Sequence, residues 1–135
     1  MSLDISQRER EGVVIVDLDG RLTVGQETGA LREAVLKLST EGRTNVVLNL
    51  EKVEYIDSTG LGGLVICFTT IKKTGGALKL LNLNRRNVEL LVLTKLQTVF
   101  EVFNDEQDAV NSFFPGREIK RFDILAFVQQ TQSEE

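Results

Sequence analysis

The stretch Tyr55-Ile56-Asp57-Ser58-Thr59-Gly60-Leu61-Gly62-Gly63-Leu64 decides how this chain is read. An apolar strand ends at Ile56, and a helix begins behind Asp57 and a pair of hydroxyls. Such a strand-to-helix turn presents polar groups without opening the core. Ser58 and Thr59 each carry an oxygen able to cap the first amides of the helix, and the glycines let another molecule approach the backbone closely. Two readings stand side by side: a helix cap, or a site.

Working outward, the helix runs from Ser58 to Thr74 and closes at Gly75-Gly76, a C-terminal glycine signal. Leu61, Leu64, Val65, Phe68 and Ile71 share one side of its wheel and must face the core. Gly62, Gly63, Ile66, Thr69, Thr70 and Lys73 share the other. Ile66 is the isolated apolar residue on that polar face, and it points to a docking surface. Val46 to Leu50 and Ala77 to Leu81, on either side of this unit, are short apolar runs of the kind found in strands covered on both faces. Val13 to Leu18 is a further strand, ending at the turn signal Asp19-Gly20 and pairing with Leu3 to Glu9. Between Gln26 and Ser39, Leu31, Ala34, Val35 and Leu38 follow helical spacing, and Gly42 comes just past the end. Arg86 to Leu93 reads as a helix, Val99 to Phe103 as a strand and Asp105 to Phe114 as a helix.

Strands alternating with helices imply βαβ units and an α/β domain with a mostly parallel sheet, antiparallel only in its N-terminal pair. With 135 residues, 41% of them apolar, the chain suits one domain with a single core. That domain spans residues 1–114, and Pro115-Gly116 opens a C-terminal extension over 115–135. In the extension Ile119, Phe122, Leu125 and Ala126 alternate with charges in an amphipathic pattern, before a polar end expected to fray. The extension offers three roles: covering apolar surface, self-association into a homodimer, or partner contact. Covering is the simplest.

Composition removes several functional classes. The formal charge of −4 argues against nucleic-acid binding, which needs a basic face. Histidine is absent, so Ser58 has no imidazole to activate it and the commonest metal ligand is missing. The carboxylates form no pair at a spacing that predicts acid-base work. Gly60-Leu61-Gly62-Gly63 lacks the Lys-Ser/Thr of a nucleotide-binding loop. Cys67, the single cysteine, can form neither an internal disulfide nor a zinc cluster and reads as a small apolar residue. No cofactor, metal or catalytic residue is expected. Lys72, Lys73, Arg85 and Arg86 read as solvated charges, although a basic rim suits an acidic partner. Met1 to Gln7 has neither a basic start nor an apolar core, and no apolar run reaches the ~20 residues of a membrane span. The expectation is a soluble protein of the cytoplasm, with no membrane partner. A phosphate on Ser58 would meet the amides and dipole of a helix start, and its charge would dominate whatever docks beside it.

Three features make the chain resemble the STAS domain family, and within it the bacterial anti-sigma factor antagonists. They are Asp19-Gly20-Arg21-Leu22, the passage from Val46 through Tyr55-Ile56 into Asp57-Ser58-Thr59-Gly60-Leu61-Gly62, and Gly75-Gly76 before Leu78-Lys79-Leu80-Leu81. The likeness covers roughly residues 5 to 114. It implies a mixed sheet with helices packed mainly on one side, and a non-catalytic switch. The unphosphorylated form binds an anti-sigma factor and so releases a sigma factor. That anti-sigma factor is also a serine kinase, and a metal-dependent Ser/Thr phosphatase reverses its action. Carried over residue by residue, Ser58 is the phosphoacceptor and Asp57 shapes the site. Thr59, Gly60, Gly62, Ile66 and the loop Leu22, Thr23, Val24 and Gly25 are contact surface. Many antagonists carry an acidic residue after the Gly-x-Leu of that loop, where this chain has Thr23, a polar substitute. A reading of another class keeps the fold without the switch: a constitutive scaffold, or an accessory subunit of a transporter or signalling complex.

Overall fold

The structure, a computed structural model, describes residues 3–133, with side chains described as far as 128. Strands β1 (Asp4–Arg10) and β2 (Val13–Leu22) form the antiparallel pair, and β2 runs straight through Asp19-Gly20, where the turn signal predicts an end. Gly20 takes φ 136°, and the register against the next strand shifts on both sides of it. The glycine absorbs a bulge instead of making a turn.

Helix α1 (Gln26–Thr40) follows, and then β3, which spans Asn45–Ile56 and not only the predicted Val46 to Leu50. Beyond Leu50, Val53 and Ile56 are buried while Glu51, Lys52 and Glu54 face water. The prolonged β2 supplies backbone partners for this half-polar stretch, down to Leu22 opposite Ile56. This extension positions the site, because it delivers the ends of β2 and β3 side by side.

Helix α2 (Ser58–Lys73) leads to β4 (Ala77–Leu81), α3 (Arg85–Leu93), a 3-10 turn at Leu96–Thr98 and β5 (Val102–Phe103). The fifth strand is shorter than predicted because Leu96 O captures the amides of Val99 and Phe100, which rules out an extended chain there. Helix α4 is likewise shorter, Glu106–Asn111, with Asp105 as its cap. The sheet order is β1-β2-β3-β4-β5, with every pair after the first parallel.

Alternation along the strands splits the core between the two faces of the sheet. Val14, Val16, Val46, Leu48 and Leu80 meet Leu31 and Val35 of α1, Leu64 and Ile71 of α2, and Val88 and Leu91 of α3. Val13, Ile15, Val47 and Phe103 meet Ala109 and Val110 of α4, with Phe113 and Phe114 alongside. Helices therefore lie mainly on one side, with the short α4 opposite. The extension ends in α5 (Ile124–Ser133), which packs against α3 and buries Ile124 and Val128 in the larger core. Its apolar face covers the chain's own surface. Of the polar end expected to fray, residues 134–135 lie outside the described residues, and 129–133 are described as helical backbone only.

Candidate functional site

Asp57 sits where the two strand ends meet. Its amide donates to Leu22 O at 3.0 Å, which closes the last rung between β2 and β3. Its side chain then caps α2: Oδ1 accepts from Gly60 N at 2.8 Å, and Oδ2 accepts from Val24 N at 3.0 Å. Sequence reasoning gave the cap to Ser58 or Thr59. The structure gives it to the preceding carboxylate, because Asp57 has the extended backbone of a capping residue while Ser58 is already the first helical residue. The amides of Gly60 and Val24 hold the Asp57 carboxyl below the usual carboxylate range.

The consequence for Ser58 is direct. It is exposed, and its hydroxyl has no hydrogen-bond partner among the described residues. It stands on the first turn of a 16-residue helix, at the positive end of the dipole. Thr59 beside it is exposed as well.

The glycines divide into two roles. A Cβ on Gly60 would overlap the carbonyl of Leu22, and one on Gly63 would overlap the γ-methyl of Thr28 in α1. Both glycines are buried and serve internal packing; Thr28 is fixed in turn by its hydroxyl, which donates to Thr23 O at 2.7 Å. Three positions differ from expectation. Gly63 belongs to the buried side of α2, and Gly60 lies beneath the surface it was expected to form. Leu22, fully buried, lies beneath it too. A Cβ on Gly62, by contrast, would meet nothing within 4 Å.

What remains outside is a rim drawn from the loop before α1 and the outer face of α2. Val24 is 71% exposed, Gly25 is exposed and Thr23 half-buried. Gly62 and Ile66 continue the rim along α2. Ile66 lines a groove of about 340 Å³ with Gly29, Arg32 and Leu36 of α1. Leu36, 54% exposed, is an apolar residue that sequence reasoning missed. It falls outside the stripe Leu31, Ala34, Val35, Leu38, and the argument that singled out Ile66 applies to it equally. On the other flank of Ser58, a groove of about 380 Å³ is lined by Tyr55, Asp57, Ser58, Arg86, Asn87 and Leu93 among others. Val65 and Phe68, assigned to the core, are half-buried, while Cys67 is buried and its thiol pushed up to about 12 by desolvation. Among the described residues no group of three or more His, Cys, Asp or Glu could hold a metal ion, and no helix is long and apolar enough to cross a membrane.

The family model of the STAS domain matches residues 4–109. The anti-sigma-B factor antagonist of Bacillus subtilis (strain 168) is 33% identical over 102 residues, which cover 76% of this chain and 92% of that protein. The anti-sigma F factor antagonist of Paenibacillus polymyxa is 27% identical over 113 residues, covering 82% and 94% respectively. Among solved structures, the Bacillus cell fate determinant SpoIIAA in its phosphorylated form superposes with a TM-score of 0.64 at 18% identity, over 82% of this chain and 99% of that one. At that identity the likeness is one of fold. The match to the family model stops short of α5.

Proposed function

This chain belongs to the STAS domain family, and on that premise we propose that it is an anti-sigma factor antagonist, a non-catalytic binding protein controlled by phosphorylation of Ser58. Unphosphorylated, it binds an anti-sigma factor and so frees a sigma factor. The same anti-sigma factor acts as a serine kinase. The γ-phosphoryl group of ATP passes to Ser58 Oγ, which gives up its proton, and ADP leaves. A metal-dependent phosphatase returns serine and inorganic phosphate by hydrolysis. Both steps belong to the cytoplasm.

One observation carries the reading: Ser58 is exposed with its hydroxyl uncommitted, because Asp57 does the capping. A phosphate added there breaks no hydrogen bond of the fold and gains the helix N-terminus as a neighbour. It also brings a charge of about −1.5 to −2 to the rim formed by Val24, Gly62 and Ile66. An interface matched to a neutral hydroxyl must then desolvate a dianion, and each 1.4 kcal/mol of cost is about tenfold in affinity. The relatives named as antagonists of anti-sigma-B and anti-sigma F factors support the partner class.

The test is incubation with a candidate anti-sigma kinase and ATP, with the phosphate located by mass spectrometry. Label on Ser58, complex formation by Ser58→Ala and its loss in Ser58→Asp are the expected results. If Ser58→Asp binds as tightly as the wild type, the switch is wrong and a constitutive scaffold takes its place.

A further inference from the structure

Arg86 faces the groove that Ser58 also lines, and nothing in the rim reading uses it. Its position is built rather than incidental. Asn84 caps α3 through the amide of Asn87, and its own amide group reaches back to Val53 O at 3.3 Å and Glu54 O at 3.2 Å. The Asn87 side chain adds a bond to Val53 O at 3.0 Å. The first turn of α3 is thus pinned to the end of β3, just ahead of Ser58. Within that frame the Arg86 guanidinium lies 4.1 Å from the centre of the Tyr55 ring, and Tyr55 lines the groove as well. Stacking of this kind holds the planar group while leaving its N–H edges free.

The carboxylates of the groove are engaged elsewhere. Glu89 pairs with Arg85 at 3.2 Å, and Asp57 has both oxygens on backbone amides. Among the described residues Arg86 has no ion pair. On its α3 side the groove therefore presents a cation that no described carboxylate pairs. The same groove is lined by Ser58, the hydroxyl to which the proposed switch adds a dianion.

We propose that Arg86 is the internal receptor for a phosphoryl group on Ser58, an inference that rests on Ser58 being the phosphoacceptor. The phosphate oxygens accept hydrogen bonds from the guanidinium fork. Modification then does more than add charge to the rim. It ties the start of α2 to α3 across the groove, fills the space beside Tyr55, and fixes the dianion in one orientation before a partner arrives.

The test installs phosphoserine at position 58 during translation, so that no kinase is needed, and follows its second ionisation by phosphorus NMR. The titratable groups that line this groove with Ser58 are Asp57 ahead of α2, Tyr55 on β3, and Arg86 and Glu89 on α3, the last paired with Arg85. All but Arg86 are common to the wild type and an Arg86→Gln variant, as is the helix N-terminus. The wild-type midpoint is expected to lie about half a unit or more below that of Arg86→Gln, with Arg86→Lys between them. Amide spectra of each variant establish that the fold is kept. Coincident midpoints in the wild type and Arg86→Gln would overturn the inference. Failure of the kinase to label Ser58 would overturn the switch instead, and the two outcomes are read from separate samples.

Discussion

The carboxylate of Asp57 accepts a hydrogen bond from the backbone amide of Val24 at 3.0 Å, across 33 residues of chain. With its other oxygen on Gly60 N, Asp57 joins the loop before α1 to the start of α2 and holds both at the rim around Ser58. Replacing Asp57 by Ala should cost about 1 to 2 kcal/mol in urea unfolding, the usual worth of an N-cap. It should also raise hydrogen exchange at the Val24 amide. A stability loss without faster exchange at Val24 would mean that Asp57 is only a cap.

A pH signature follows from the same carboxyl. Its folded-state pKa is depressed by the Gly60 and Val24 amides, so the ionised form is favoured by folding. The contribution is therefore fully present above the unfolded carboxylate value of about 3.9, and is lost as the pH falls through the folded value. The stability gap between the wild type and Asp57→Asn should be flat from pH 8 to about 5 and should narrow below about 4. Glu11, Asp17 and Glu106, also shifted down by their arginine partners, are present in both proteins and cancel in the difference.

The glycines of α2 separate packing from surface. Gly60→Ala drives a methyl group into the Leu22 carbonyl, a backbone atom that cannot turn aside, and should destabilise by about 2 kcal/mol or more. Gly62→Ala meets open space and should be neutral, or stabilising by up to about 1 kcal/mol through helix propensity. Thermal unfolding of the two variants decides the matter, and equal losses would contradict the packing described.

The architecture was legible because hydrophobic period and glycine punctuation agree along most of the chain. Where they misled, a tertiary partner had intervened. Asp19-Gly20 has the composition of a turn, but a bulge against β3 uses the same backbone freedom. Glu51 to Glu54 looks too polar for a strand until β2 is seen running beside it. The cap was misassigned because Asp, Ser and Thr at consecutive positions all suit the role, and only backbone geometry chooses among them. Gly60 and Gly63 were invisible as packing residues because their partners, Leu22 and Thr28, lie more than 30 positions away in sequence. Leu36 was within reach of the pattern used for Ile66; its groove, formed between two helices, was not.

That groove carries the last prediction. Leu36 and Ile66 are 54% and 43% exposed, and each faces the shared space between α1 and α2. Truncating exposed side chains of this kind rarely changes stability by more than about 0.5 kcal/mol. If the partner docks across the rim, however, the same truncations remove apolar contact from its centre. Leu36→Ala and Ile66→Ala should then each weaken binding of the anti-sigma partner by about 1 to 2 kcal/mol, roughly 5- to 30-fold in titration calorimetry. Thermal midpoints should barely move. Because the two side chains face one groove, the double variant should lose less than the sum of the single losses. Binding that is indifferent to both changes would confine the interface to Val24, Ser58 and Gly62, and would leave the α1–α2 groove outside it.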